Sequence, residues 1–196
     1  MTESDFSPLT ALFNAMDAAY NRAAAQYGFH CNGCKDNCCR SLFFHHTFVE
    51  KAFLLYGFSQ MEPSRQKEMR QKADVYISRT FKGSPALTTP AGTSLKLMCP
   101  LNRDGRCALY FFRPMICRLH GLPHHLTRPA DKTVVRGPGC AAGKFDGRPY
   151  IPFDRTPFYV QMAGIEKAFR KSTGHTGKIR ETIAHMLCDS HARPHE

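Results

Sequence analysis

The chain of 196 residues contains no tryptophan and no apolar run of the roughly 20 residues that a membrane-spanning helix needs. Its N-terminus carries Glu3 and Asp5 and no basic cluster, and the apolar residues that follow recur periodically, which is not the pattern of a secretory signal peptide. We therefore expect a cytoplasmic protein with no membrane partner. In a reducing compartment, clustered cysteines are more often metal ligands or redox groups than disulfides.

The sequence also lacks the common catalytic motifs. It has no G-x-S-x-G, no P-loop, no H-E-x-x-H, no G-x-G-x-x-G after a predicted strand and no zinc-deaminase pattern. The C-x3-C-x2-C run of many radical enzymes is absent as well, because the first two spacings here are two and then three. The sequence therefore assigns no catalytic residue and leaves open whether the chain is an enzyme.

Acidic residues are scarce: 16 Asp and Glu stand against 27 Lys and Arg, which gives a formal net charge of +11. A nucleic-acid surface is one interpretation. However, the basic residues are scattered from Arg22 to Arg193, and no aromatic RNA-binding signature is present. A second interpretation is a basic scaffold that offsets buried thiolates, since four thiolates on a divalent metal or a doubly charged cluster leave a charge of about −2. A third is a solvated surface without a partner, so we do not expect a nucleic-acid partner.

Hydrophobic residues make up 42% of the chain, enough for a buried core, and the length suits one domain over 1–196. We expect a mainly α fold with a small β-hairpin, in which about five helices surround an irregular, cysteine-rich middle region that bound metal stabilises. This middle covers about 27–142, and a helical extension covers about 152–188. Apolar periodicity and end signals predict helices over 7–27, 47–57, 63–80, 156–172 and 176–188.

Local signals refine these boundaries. Ser7 is a predicted N-cap, Thr47 and Glu50 form a capping-box pattern, and Gly57 is a predicted helix end. A loop is predicted over 82–94, followed by a hairpin with strands near 95–97 and 107–110 around an Asp-Gly turn. Residues 112–151 are rich in Pro and Gly and hold few structural signals except a short strand at Val134.

Eight of the nine cysteines fall into two groups of four. Four thiolates around one centre suit tetrahedral zinc or an iron–sulfur cluster. Side chains of adjacent residues in an extended chain point in opposite directions, so Cys38 and Cys39 either serve different centres or bridge one larger cluster. Cys188 lies beside Leu187 on a predicted helix, where core packing is expected. The first group is Cys31, Cys34, Cys38 and Cys39, and the second is Cys99, Cys107, Cys117 and Cys140.

Arginines and histidines near these cysteines are further candidates. Arg113 and Arg118 flank Cys117 in sequence and are predicted to bind the cofactor, by offsetting thiolate charge or by holding an anionic substrate. Ordinary ion pairing is the alternative interpretation. A nearby histidine-rich segment can supply a neutral imidazole ligand in place of one cysteine, or it can be a polar loop. Its histidines are His120, His124 and His125.

The cysteine pattern resembles a known family. The run Cys31-x2-Cys34-x3-Cys38-Cys39-Arg40, followed by Cys99-Pro100, Gly105-x-Cys107, Tyr110, Arg113-Pro114 and Cys117-Arg118, is similar to the bacterial YkgJ-like cysteine-cluster family. That family is described as a zinc- or iron-chelating domain, and a related domain occurs in flagellin lysine N-methylases, where an iron–sulfur cluster is implied. The resemblance covers about 27–140 and implies all eight grouped cysteines as ligands.

Together these features predict a metal-binding protein with one or two cysteine-held centres, expected to be iron–sulfur clusters of the 4Fe–4S type with a redox or cluster-dependent role. One alternative is a structural zinc module that presents a basic face to a protein or RNA partner. Another is a cluster-dependent methyltransferase, which rests on the resemblance alone. Metal ions are the expected partners, with a protein or small molecule as a further one. We also expect metal binding to contribute directly to folding.

Overall fold

A computed structural model describes residues 3–31, 38–81 and 97–189. Within these ranges the chain is mainly helical with two small antiparallel two-stranded sheets, which confirms the predicted fold class. No described helix combines the length and apolar content that a membrane crossing requires. The helices are α1 (Ser7–Tyr27), α2 (Phe48–Ser59), α3 (Pro63–Phe81), α4 (Met115–Leu119), α5 (Thr156–Thr173) and α6 (Ile183–Asp189). The strands are β1 (Asn102–Arg103), β2 (Arg106–Cys107), β3 (His124–Thr127) and β4 (Val134–Gly137).

The chain divides into two units, each made from two segments. The first unit comprises Met1–Cys38 and Met115–Thr176, and the second comprises Cys39–Pro114 and Gly177–Glu196. The first boundary therefore falls between the adjacent residues Cys38 and Cys39. The predicted loop over 82–94 and the first predicted hairpin strand up to residue 96 lie outside the described residues.

The first unit is organised around α1, which packs against α4 and α5. The apolar stripe of α1 is buried as its periodicity predicts, and the helix ends at Gly28 in the left-handed conformation (φ 58°). The predicted Ser7 cap is wrong. A 3₁₀ helix, Glu3–Phe6, runs directly into α1, and the fully buried Phe6 occupies the N-cap position without a capping hydrogen bond from its side chain.

The β3–β4 sheet of the first unit lies inside the stretch predicted to be irregular. The strand at Val134 is confirmed, and it pairs with β3 in the register Leu126 with Val135 and His124 with Gly137. No sequence signal predicts β3, because His-His-Leu-Thr lacks the alternation of apolar and polar residues that marks a strand.

The second unit packs α3 and α2 against α6 around a shared apolar core. The helix α2 begins after Thr47, whose hydroxyl donates a hydrogen bond to the Glu50 carboxylate. It does not stop at Gly57. A Cβ atom on that residue would lie 2.3 Å from Cγ of Phe112, so the glycine lets an aromatic ring pack directly on the helix backbone. The core includes Leu54, Phe58, Met69, Ala73, Leu101, Met186 and Leu187.

Two other boundaries in the second unit differ from the prediction. The Asp104-Gly105 turn is confirmed, with φ of 51° and 82°, but its strands are only two residues long and lie closer to the turn. The last helix begins at Ile183 rather than 176 because Glu181 is extended and bridges to His45. In this bridge each backbone N–H donates to the other residue's carbonyl, at 2.7 and 3.1 Å.

His45 is a buried titratable group in the second unit. Its side chain is 3% exposed, and its Nε2 atom has no hydrogen-bond partner among the described residues. Burial, and secondarily the neighbouring His46, lowers the pKa of His45 from 6.5 to about 4. The unfolded chain therefore takes up a proton as the pH falls through 6.5, while the folded chain resists protonation until about pH 4.

We expect this group to make the protein less stable in mild acid. Between pH 7 and pH 5, protonation of the unfolded His45 should lower the free energy of unfolding by about 2 kcal/mol. Urea unfolding of the wild type and of His45→Leu at both pH values measures the effect, and the variant should lose this part of the pH dependence. His46→Leu, at the exposed adjacent position, removes only the secondary cause of the shift and should keep most of the pH dependence, so it is the matched control. A His45→Leu variant with the wild-type pH dependence would contradict the prediction.

Candidate metal centre

The structure describes eight of the nine cysteines, and none of these eight is joined in a disulfide within the described residues. Cys34 lies outside the described residues. Cys31 is exposed and the other seven are partly buried. Thiols that are partly accessible and not joined as disulfides remain available as metal ligands, so the donor chemistry fits zinc or an iron–sulfur cluster.

In the first unit, backbone contacts bring several cysteine-bearing segments together. The N–H of Cys140 donates to the carbonyl of Gly121 at 2.9 Å. A Cβ atom on Gly121 would lie 2.9 Å from the Tyr20 hydroxyl and 3.6 Å from the Phe29 ring. Cys31 follows Phe29 by two positions, and Cys117 is part of α4, just before Gly121. These segments therefore meet beside α1.

The pKa of the Tyr20 hydroxyl is affected by nearby cysteines. Its pKa is raised mainly by burial, and then by negative charge on Cys31 and Cys140, with a smaller contribution from Cys38. The Arg155 guanidinium acts in the opposite direction. Three cysteines separated by up to 109 positions thus affect the pKa of one hydroxyl group, which indicates that they share one region of the unit.

A buried cation lies in the same region. Arg155 is 7% exposed, and its guanidinium donates a hydrogen bond to the Leu119 carbonyl. Burial lowers the pKa of Arg155 to about 10, partly offset by Tyr159, Tyr20 and Tyr150. At this pKa the group keeps its charge at neutral pH, so it can offset thiolate charge.

Sequence reasoning singled out neither Tyr20 nor Arg155. The one available signal was position: Arg155 occupies the N-cap of α5, where the helix dipole disfavours a cation. An arginine at such a place needs another stabilising contact.

In the second unit, a separate set of cysteines gathers around the β1–β2 hairpin. The N–H of Cys99 donates to the carbonyl of Cys39 at 2.7 Å, and the N–H of Asn102 donates to the carbonyl of Cys99 at 2.9 Å. Cys107 pairs with Asn102 across the hairpin. Cys99, Cys107 and Cys188 all pack against the apolar core of this unit.

Cys188 had been assigned to core packing from the sequence. It does contact the core, but its thiol also donates to the Asp74 carboxylate at 3.2 Å. It is therefore a fourth cysteine of the second unit, together with Cys39, Cys99 and Cys107.

The two units divide the cysteines differently from the two groups in the sequence. Cys38 belongs to the first unit and Cys39 to the second, while Cys117 and Cys140 belong to the first unit. Whether the adjacent pair serves different centres or bridges one larger cluster stays a prediction. Among residues 3–31, 38–81 and 97–189, no three His, Cys, Asp or Glu side chains form a group that could hold a metal ion.

The two predicted cofactor-binding arginines have other contacts. Arg118 is buried in the first unit, where it forms an ion pair with Asp17 at 2.6 Å and lies over the Phe13 ring. Arg113 belongs to the second unit, where its Nε atom donates to the Tyr110 carbonyl at 2.8 Å and its guanidinium stacks on the same residue's ring. These contacts agree with the ion-pairing alternative for Arg118 and place Arg113 against its own chain segment.

The histidines of the predicted polar loop lie in or next to β3. Nδ1 of His124 lies 3.1 Å from the Leu122 carbonyl, and burial lowers the pKa of this histidine, with Arg155 as the next cause. Nδ1 of His125 lies 2.7 Å from the Tyr150 hydroxyl. His120 precedes the strand. The exchange of a cysteine ligand for one of these histidines stays a prediction.

Comparison with known proteins yields no relative: no family model matches the chain, and no curated protein or solved structure matches it. The resemblance to the YkgJ-like family therefore stays a prediction that rests on the cysteine pattern.

Proposed function

We propose that this chain is a metal-binding protein whose cysteines hold two iron–sulfur centres, one in each unit, with a redox or cluster-dependent role. The observation that carries the proposal is the division of the described cysteines into two sets, each within one unit. The described cysteines of the first set are Cys31, Cys38, Cys117 and Cys140, and those of the second set are Cys39, Cys99, Cys107 and Cys188. We assign Cys34 to the first set from its position in the sequence alone.

The contacts around each set support this assignment. In the first unit, the Cys140 N–H donates to the Gly121 carbonyl close to Tyr20. Burial, and then negative charge on Cys31, Cys140 and Cys38, raises the pKa of Tyr20, while the buried Arg155 lowers it. In the second unit, a backbone hydrogen bond joins Cys39 to Cys99 across sixty positions of sequence, and the thiols of Cys107 and Cys188 pack on the same core. Each unit thus has at least the four thiolates that one cluster requires.

Metal binding would complete both sites, because neither is a preformed and rigid set of ligands in the described part of the chain. Since the described side chains do not already converge as a ligand group, binding has to draw the thiols together, and the free energy of binding then contributes to folding. An iron–sulfur cluster bound there would supply electron transfer or an open iron. The protein's own part is to hold the thiolates, to offset their charge with Arg155 and to limit water access with the apolar core.

The decisive experiment is metal analysis of the full chain, purified without exposure to air or chelators. We expect brown protein with equal amounts of iron and acid-labile sulfide, at about eight of each per chain if both centres are 4Fe–4S clusters. Colourless protein with stoichiometric zinc and no sulfide would replace the iron–sulfur assignment with a structural zinc module. Protein that retains neither metal, and that takes up none on reconstitution, would overturn the proposal.

A further inference from the structure

A pocket of about 390 Å³ opens in the second unit between the start of α3 and the β1–β2 hairpin. Its size is within the range of small-molecule sites. Met61 and Arg65 line the helix side, together with the buried Met69, and Arg103, Arg106 and Cys107 line the hairpin side. None of these residues is needed for the cysteine assignment except Cys107, so the pocket is a separate feature of the unit.

The charge of the pocket is positive. Three guanidinium groups line it, and the one carboxylate in its lining belongs to Asp104. Asp104 is 94% exposed and its Oδ2 atom lies 3.7 Å from Nε of Arg103, a distance and exposure at which an ion pair is weak. Arg65 and Arg103 also help to lower the pKa of the nearby Glu68, although its hydrogen bond with Lys72 is the largest cause. An excess of two positive charges therefore faces the opening.

The floor of the pocket is apolar. Met69 is 3% exposed, and Met61 is partly buried against the same core cluster. Methionine side chains adapt to irregular apolar groups, whereas guanidinium groups bind phosphate through paired, charge-assisted hydrogen bonds. A phosphomonoester carries close to two negative charges at neutral pH, which matches the excess positive charge better than a single carboxylate does.

We infer that this pocket binds a small organic phosphomonoester, with its phosphate held by Arg65, Arg103 and Arg106 and its apolar part resting on Met61 and Met69. Cys107 lines the pocket, so a ligand bound here lies beside the second cysteine set. The inference does not depend on which metal that set binds. It assigns a small-molecule partner of defined chemistry to the second unit.

Isothermal titration of the full chain, with its metal as isolated, tests the inference. Phenyl phosphate is the probe because it combines a phosphomonoester with an apolar ring. Inorganic phosphate keeps only the phosphate group, and benzyl alcohol keeps the apolar ring without the phosphate. We expect saturable binding of phenyl phosphate that weakens with added salt, weaker binding of inorganic phosphate and none of benzyl alcohol. No saturable binding at millimolar phenyl phosphate, or equal binding of benzyl alcohol, would overturn the inference.

Three exposed-arginine variants localise the binding. Arg65→Gln and Arg106→Gln should each weaken phenyl phosphate binding about tenfold, because each removes a charge-assisted contact. Arg79→Gln is the matched control, since Arg79 is exposed on the same helix α3 and does not line the pocket. An equal loss in Arg79→Gln would indicate a diffuse basic surface and contradict the pocket. Because the metal content is measured on the same samples, failure of this test is distinguishable from failure of the iron–sulfur proposal.

Discussion

Removal of the metal is expected to lower the midpoint of thermal unfolding by about 10–20 °C or to abolish the cooperative transition. The segments that carry Cys107, Cys117 and Cys140 contain only two- to five-residue elements. The strand β4 is largely exposed, with Val134 53% exposed. Apolar burial therefore contributes little to the stability of this strand and its neighbouring short elements before Cys140, and thiolate–metal bonds would supply the difference.

The measurement is calorimetry or circular dichroism on the metal-loaded chain, before and after anaerobic treatment with a chelator. Restoration of the transition by added iron and sulfide is the control for irreversible damage. A chelated protein that contains no metal and unfolds cooperatively at the same temperature would contradict the prediction that metal contributes to folding.

Cysteine-to-serine variants test the same prediction at the level of each unit. Cys140→Ser and Cys107→Ser should each remove about half of the iron, and the double variant should remove nearly all of it, because the two residues belong to different units. Cys188→Ser should lose the same fraction as Cys107→Ser. If the double variant loses no more iron than either single variant, Cys107 and Cys140 share one centre. That outcome would contradict the assignment by unit and match the grouping of the two residues in the sequence.

The sequence predicted most of the features whose signals are local, although the local signal for a cap at Ser7 is wrong. The stripe of α1, the left-handed end at Gly28 and the Asp104-Gly105 turn depend on neighbouring residues alone, and all three are confirmed. The prediction that Gly57 ends a helix was wrong because this glycine instead leaves room for the ring of Phe112, a residue far away in the chain. The start of α6 was misplaced for a similar reason, since Glu181 is held extended by a bridge to His45.

The candidate centres likewise depend on contacts between distant residues that the sequence does not reveal. Cysteine spacing identified the residue types but not the partition, because membership of a unit depends on how distant segments pack. No pattern in the sequence separates Cys117 from Cys107, although they lie ten positions apart and belong to different units. Arg155 and Cys188 were not predicted as parts of the proposed centres because both are remote in sequence from the residues that they approach.

The tightest backbone approach beside the first cysteine set occurs at Gly139, the residue before Cys140. Its φ is 85°, and a Cβ atom there would lie 2.8 Å from both the Gly121 carbonyl oxygen and the Pro123 nitrogen. Backbone atoms cannot move aside as the end of a side chain can. We therefore expect Gly139→Ala to lower the free energy of unfolding by about 3 kcal/mol or more, combining the left-handed conformation with steric overlap.

Gly147→Ala separates these two contributions. Gly147 has a comparable φ of 74°, but a Cβ atom there would meet no other atom within 4 Å. Its substitution should cost only about 1 kcal/mol, the conformational part. Gly139→Ala would displace the Gly121 carbonyl, which accepts a hydrogen bond from the Cys140 N–H. Gly139→Ala should therefore also lose the iron of the first unit, whereas Gly147→Ala should keep it. Equal stability and equal iron content in the two variants would show that the close approach at Gly139 does not position Cys140.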